Sequence, residues 1–148
     1  MKTENPILAI DYGQKHFGLA VSDSKGILAQ PLETISITKN RDIYKIIEEI
    51  LEKAQEYRVK TLLIGVPQSF TLSHKKSEEK IKQFILKVKE CTTIPIITYD
   101  ESFSTTLAQS VLTSSGQNIK RSRKKIDSIS ATVFLQEFLN SFKKVNER

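Results

Sequence analysis

The sequence has 148 residues, 39% of them hydrophobic and 27% charged, a composition typical of one globular domain with its own core. No apolar run approaches the roughly 20 residues of a membrane-spanning helix, which excludes a transmembrane protein. Cys91 is the only cysteine, so no internal disulfide can form and a reducing compartment is expected. The N-terminus lacks the features of a secretory signal. We therefore expect a single domain spanning residues 1–148, located in the cytoplasm.

Basic residues outnumber acidic ones by 23 to 17, and the formal net charge is +6. Five of them fall within six positions in the run KRSRKK, from Lys120 to Lys125. If this run lies on one face, it would attract a polyanion such as nucleic acid. A solvated surface explains such a run equally well, and charge alone leaves both interpretations open.

The first 37 residues predict three strands. Residues Ile7 to Ile10 are all apolar, as in a strand covered on both faces. In HFGLAVS, residues 16–22, large and small side chains alternate with the two-residue period of a strand, and Gly13 favours a hairpin between the two. A third strand follows over Ile27 to Ile37, where Pro31 cannot donate to a neighbour and so predicts a sheet edge.

Beyond residue 37 the pattern alternates between helices and strands. The predicted elements are an amphipathic helix from Ile43 to Ala54, a buried strand ending at Pro67, a helix marked by Ile81 to Val88, a buried strand from Ile94 to Asp100, a short helix over Leu107 to Leu112 and a last helix from Ile126 to Phe142. Asn40 is the expected N-cap of the first helix, and Glu78 and Glu79 lie near the predicted start of the second. This order predicts an α/β fold, in which a three-strand antiparallel meander and two parallel strands form a mixed five-stranded sheet flanked by helices.

Three acidic residues stand out from this pattern. Asp11 ends the first buried strand, Glu101 follows the last strand, and Asp127 projects among apolar residues of the last helix. A buried carboxylate needs a hydrogen-bond donor, a cation or a metal to compensate it. Taken singly, Asp11 is explained by a turn near Gly13, and Asp127 by a favourable position in the first helical turn.

Together the three acids predict a metal site. Carboxylates brought close repel one another, so such a cluster persists mainly when divalent cations neutralise it. Mg²⁺ prefers oxygen ligands, and two such ions about 4 Å apart support phosphodiester hydrolysis. We therefore predict that Asp11, Glu101 and Asp127 are the catalytic residues and bind two ions of Mg²⁺ or Mn²⁺. The residues expected to position a nucleic-acid backbone over them are Lys120, Arg121, Arg123, Lys124 and Lys125.

Four segments resemble the motifs of one family, in the right order. They are AIDYGQKHFGLAVSD from Ala9, IGVP from Ile64, YDESFSTTLAQSVL from Tyr99 and KRSRKKIDSISATVFLQEFL from Lys120. The family is that of the YqgF-type nucleases, a Holliday-junction-resolvase family also assigned to maturation of the 5′ end of small-subunit ribosomal RNA. The resemblance covers nearly the whole chain. It implies a ribonuclease-H-like fold, a cytoplasmic bacterial enzyme and a divalent-metal nuclease site, with the three acids named above as its ligands.

The sequence departs from this family in places. Ser102 stands where arginine is frequent, which removes a candidate phosphate contact, and the segment after Pro67 lacks glycine. His16 replaces a frequent lysine or arginine, so at neutral pH it would contact phosphate only weakly. Thr105 can hydrogen-bond phosphate or cap the following helix. We keep His16 and Thr105 as candidate nucleic-acid contacts.

The sequence thus predicts a metal-dependent endonuclease acting on structured RNA, specifically the precursor of 16S ribosomal RNA. A branched DNA junction is the alternative substrate, because RNA and DNA share the phosphodiester bond. A non-catalytic nucleic-acid-binding module is a second alternative, against which the three acids argue. The motif IDYGQ also resembles the phosphate loop of actin-like ATPases, but the chain has only five glycines and no GG pair.

Overall fold

The described part of the chain forms a five-stranded mixed sheet with helices packed on both faces. The computed structural model describes residues 4–12, 16–37, 42–66, 72–100 and 129–141. The elements are β1 (Ile7–Asp11), β2 (His16–Ser22), β3 (Ala29–Ser36), α1 (Ile43–Glu56), β4 (Thr61–Val66), α2 (Leu72–Cys91), β5 (Ile96–Asp100) and a helix α3 over residues 129–141. None of the helices in these ranges is both long and apolar enough to cross a bilayer.

The strand order in the sheet is β3-β2-β1-β4-β5. β1 pairs antiparallel with β2, which pairs antiparallel with β3, while β1, β4 and β5 run parallel to one another. The predicted meander and the predicted parallel half are therefore both confirmed. Pro31 lies opposite Ala20 in the edge strand β3, where its missing N–H leaves the sheet interior intact.

The alternation of large and small residues in β2 divides the core between the two faces of the sheet. Phe17 and Leu19 lie in a cluster with α1 and α2, whereas Ala20 faces α3. Full burial of one large apolar side chain stabilises the fold by about 1.5–3 kcal/mol, and more of the described buried side chains lie on the α1 and α2 face than on the α3 face. On the α3 face, Ala9 and Ala20 are small, and Phe134 packs fully buried in the same cluster.

The N-cap of α1 differs from the predicted one. Asp42 has an extended backbone (φ −66°, ψ 140°), and its Oδ1 accepts a hydrogen bond from the backbone N–H of Tyr44 at 3.1 Å. The prediction of Asn40 is wrong, because the helix begins at Ile43 and the capping residue directly precedes it.

Two predictions about later elements are also wrong. Glu78 and Glu79 lie in the interior of α2 rather than near its start, because the helix begins at Leu72 within a polar run that conceals its first turns. β5 is an edge strand rather than a buried one, and Thr98 is exposed. The predicted helix over residues 107–112 lies outside the described residues, whereas the helix α3 confirms the middle of the last predicted helix.

The cap assignment can be tested by two alanine substitutions. Asp42→Ala should lower the free energy of unfolding by about 1 kcal/mol, because the N–H of Tyr44 loses its acceptor. Asn40→Ala should change it by less than about 0.5 kcal/mol. Urea unfolding followed by circular dichroism measures both, and an equal loss in the two variants would contradict the assignment.

Candidate active site

Asp11 is the last residue of β1 and lies at the edge of the sheet where the parallel strands end. Since β1, β4 and β5 are parallel, Asp11 is level with Gly65 of β4 and Tyr99 of β5, each the residue before the last of its strand. Only 8% of Asp11 is exposed. Ligand sites of open α/β sheets lie beyond the carboxyl ends of their parallel strands, so this carboxylate occupies the expected place for a functional acid.

The residues paired with Asp11 in the two neighbouring strands are both glycines. Its partner in β2 is Gly18, and its partner in β4 is Gly65. Cross-strand partners share a face of the sheet, so neither neighbour places a side chain beside Asp11. Neither Gly18 nor Gly65 has a positive φ, so their backbone conformation does not require glycine. Among the described glycines, a positive φ occurs at Gly26. What distinguishes these two glycines beside Asp11 is therefore the absence of a side chain.

Tyr99 completes a row across the α3 face of the sheet. It is the partner of Gly65 in β5, and the row reads Gly18, Asp11, Gly65, Tyr99. Neighbouring strands are about 4.8 Å apart, so the Cα atoms of Asp11 and Tyr99 are separated by roughly 10 Å. Gly65 places no side chain between these two.

The residue after Asp11 anchors the end of β1 on the opposite face. The ring of Tyr12 packs edge-on against Phe17 at 5.0 Å between centroids and against Phe84 of α2 at 5.3 Å. Burial raises the pKa of the Tyr12 phenol above its ordinary value of 10.0, so this side chain is neutral at physiological pH. The end of β1 is therefore held on this face by aromatic packing.

Of the predicted ligands and phosphate contacts, the structure describes Asp11 and His16. Within the described ranges, no group of three or more His, Cys, Asp or Glu side chains could hold a metal ion. His16 begins β2 at the same edge as Asp11, is half-buried, and has its Nδ1 3.2 Å from the Oγ of Ser36. The other predicted residues lie outside the described ranges, and their convergence with Asp11 stays a prediction. They are Glu101, Thr105, Lys120, Arg121, Arg123, Lys124, Lys125 and Asp127.

Sequence reasoning missed three residues around Asp11. For Gly65 a signal exists, since it follows the apolar run of β4 as Asp11 follows that of β1. Tyr99 was part of a recognised motif, but its place in the row depends on the strand register. Glu137 of α3, which accepts a hydrogen bond from the Tyr99 hydroxyl at 2.9 Å, is 38 residues away along the chain and has no local signal.

The architecture defines the class of the protein as a ribonuclease-H-like nuclease fold of the RuvC type. The structure of T. thermophilus RuvC in complex with Holliday junction substrate superposes with a TM-score of 0.59 at 14% sequence identity, over 93% of this chain and 95% of that one. A second T. thermophilus RuvC structure gives a TM-score of 0.51, also at 14% identity, over 95% and 97% of the two chains. At this identity the likeness establishes the fold alone.

The family model of RuvX, described as Holliday junction resolvase, matches residues 5–141, and the chain belongs to this family. A relative from Fusobacterium nucleatum subsp. nucleatum is 36% identical over 135 residues, which cover 90% of this chain and 95% of the relative. One from Geobacillus kaustophilus is 36% identical over 134 residues, covering 90% and 96%. Both relatives carry the name "Putative pre-16S rRNA nuclease". The predicted YqgF-type family and the predicted enzyme class, a hydrolase of the nuclease type, are confirmed.

The absence of a side chain at Gly65 can be tested by adding one. Gly65→Ala adds a methyl group between Asp11 and Tyr99, and we expect the initial rate of nucleic-acid cleavage to fall at least tenfold. The free energy of unfolding should change by less than about 1 kcal/mol, because alanine is tolerated in a strand at least as well as glycine. Thr98→Ala, on the opposite face of β5, is the control and should cleave at the wild-type rate. Wild-type cleavage by Gly65→Ala would show that this absence is not required.

Proposed function

We propose that this protein is a divalent-metal-dependent endonuclease that hydrolyses phosphodiester bonds in structured RNA, with the precursor of 16S ribosomal RNA as its substrate. The observation that carries the proposal is the nearly buried carboxylate of Asp11, which lies between two glycines where the parallel strands end. The names of the relatives support the choice of substrate. We assign the activity to one domain, residues 1–148, acting in the cytoplasm.

Asp11 is proposed to share its ions with Glu101 and Asp127. β5 ends at Asp100, so Glu101 is the next residue along the chain, and Asp127 precedes the described part of α3 by two residues. Three carboxylates form the oxygen donor set that Mg²⁺ and Mn²⁺ prefer, and Gly65 places no side chain beside Asp11. When two ions are bound, they supply an activated water and stabilise the leaving oxygen. The chain's own contribution is to hold the carboxylates in place.

The basic run and two polar residues are proposed to hold the nucleic-acid backbone. His16 begins β2 at the edge where β1 ends, which supports a contact from this side of Asp11. The hydrogen bond between its ring and Ser36 restrains the imidazole at that edge. The remaining proposed contacts are Thr105, Lys120, Arg121, Arg123, Lys124 and Lys125.

A branched DNA junction is the second candidate substrate, and the description of the family as Holliday junction resolvase favours it. The chemistry at the phosphodiester is the same for both substrates. A ribosomal precursor fragment and a four-way junction should therefore be offered side by side, under identical metal and salt concentrations. We expect faster cleavage of the precursor, and the reverse order would favour the junction.

Asp11→Asn tests the catalytic assignment. The amide keeps the shape of the carboxylate but removes its charge, and we expect cleavage to fall at least a hundredfold with little loss of folding. Asp23→Asn is the matched control, because Asp23 accepts a structural hydrogen bond from the N–H of Ile27 at 2.7 Å, which an amide oxygen can also accept. This control should cleave at the wild-type rate with Mg²⁺. Wild-type cleavage by Asp11→Asn would reject the assignment, and cleavage that persists in EDTA would reject the metal.

Neutralising Arg123 and Lys124 together tests the basic run. If both contact phosphates, replacing them by glutamine should weaken substrate binding and reduce the slope of log affinity against log salt concentration by roughly one to two. Binding is measured by fluorescence anisotropy in EDTA, so that cleavage does not interfere. An unchanged slope would indicate that the basic run is a solvated surface without phosphate contacts.

A further inference from the structure

The carboxyl end of β5 needs support from outside the sheet. Among the described strands, β5 lies at the edge of the sheet and pairs with β4 alone. Its last residues lead directly to Glu101, and a metal ligand must be held within about 0.5 Å of its working position. Some contact other than strand pairing must therefore fix this end of β5.

Tyr99 makes that contact with α3. Its hydroxyl donates to Oε2 of Glu137 at 2.9 Å. Its ring stacks on Phe134, with 5.6 Å between centroids and 20° between planes, and meets Phe138 edge-on at 6.1 Å. Phe134 is itself fully buried, so the stack rests on an immobile part of the core.

α3 is also fixed at the opposite edge of the sheet. Gln136, the residue before Glu137, accepts from the N–H of Ala29 at 2.9 Å through Oε1 and donates to the carbonyl of Ile27 at 2.9 Å through Nε2. Two consecutive residues of α3 thus bind the start of β3 and the end of β5, which are the two edge strands. Glu137 therefore provides a fixed reference point for the end of β5.

The hydrogen bond between Tyr99 and Glu137 contributes a defined orientation of the two side chains rather than additional buried apolar surface. A phenylalanine at position 99 would make the same ring contacts with α3. Partly buried polar pairs are often no more stabilising than apolar residues of similar size, whereas a hydroxyl bound to a carboxylate sets one geometry. The pair is therefore better explained by positioning than by stability.

We propose that Tyr99 and Glu137 are positioning residues for the metal site, which hold the end of β5 against α3 and so set the separation of Glu101 and Asp127. The inference rests on the proposed function, since those two acids are its proposed ligands. Tyr99 lies two residues before Glu101, and α3 is helical from residue 129 through Glu137. Because an α-helix has a fixed rise of 1.5 Å per residue, a contact at Glu137 also fixes the position of the earlier residues of α3.

The test measures Mn²⁺ binding to the whole chain without nucleic acid, by electron paramagnetic resonance of the free ion. Tyr99→Phe and Glu137→Leu should each weaken Mn²⁺ binding about tenfold, as loss of a residue that orients a ligand does. The double variant should lose no more than either single one, because both remove the same hydrogen bond. Glu137→Gln retains an acceptor oxygen and should stay within about threefold of wild type.

Tyr44→Phe is the matched control. Tyr44 of α1 donates its hydroxyl to Oε2 of Glu90 at 3.1 Å, a tyrosine–glutamate pair that lies on the opposite face of the sheet and is more exposed than that of Tyr99. This variant should bind Mn²⁺ as wild type does. The unfolding midpoint in EDTA should be nearly equal for Tyr99→Phe and Tyr44→Phe.

The outcomes separate this inference from the proposed function. Wild-type Mn²⁺ affinity in Tyr99→Phe and Glu137→Leu, with weakened binding in Asp11→Asn, overturns the positioning role and leaves the metal site standing. An affinity loss in Tyr99→Phe that is matched by unfolding in EDTA also overturns it. If Asp11→Asn binds Mn²⁺ as wild type does, the proposed metal site itself fails.

Discussion

The placement of a carboxylate at the end of the central strand β1 is the constraint around which this fold is arranged. Removing an ionised carboxylate from water costs several kcal/mol unless cations or hydrogen-bond donors compensate it. The four residues that precede Asp11 in β1 are all buried and apolar, so the strand cannot move to expose it. Its partners in the neighbouring strands, Gly18 and Gly65, place no side chain beside it. The fold thus holds the acid at the end of its central strand.

The two faces of the sheet differ in the side chains that pack on them. Large side chains such as Phe17 and Leu19 pack against α1 and α2, where their burial stabilises the fold. The α3 face carries Ala9 and Ala20, together with the row that contains Asp11. Because side chains such as Phe17 and Leu19 pack on the other face, the α3 face can tolerate Asp11 and its two glycine neighbours where β1 ends.

Local patterns in the sequence were sufficient for the order of elements and for Asp11, since an apolar run that ends in an acid is visible without coordinates. They were not sufficient where the outcome depends on pairing. Asn40 and Asp42 are both good caps, and only the first turn of α1 selects between them. The apolar run of β5 looks the same whether one or two strands flank it. The position of Gly65 beside Asp11 is known only from the strand register. The contact of Glu137 with Tyr99 joins residues that are 38 positions apart along the chain.

The position of α3 connects these observations. Besides the small residues Ala9 and Ala20, its buried cluster contains large side chains such as Phe134. Gln136 and Glu137 add polar contacts to this packing, because they bind β3 and β5 at residues 107 and 38 positions away along the chain. The polar contacts with β3 and β5 therefore supplement the apolar packing that holds α3 on the sheet, and they do so at both sides of that face.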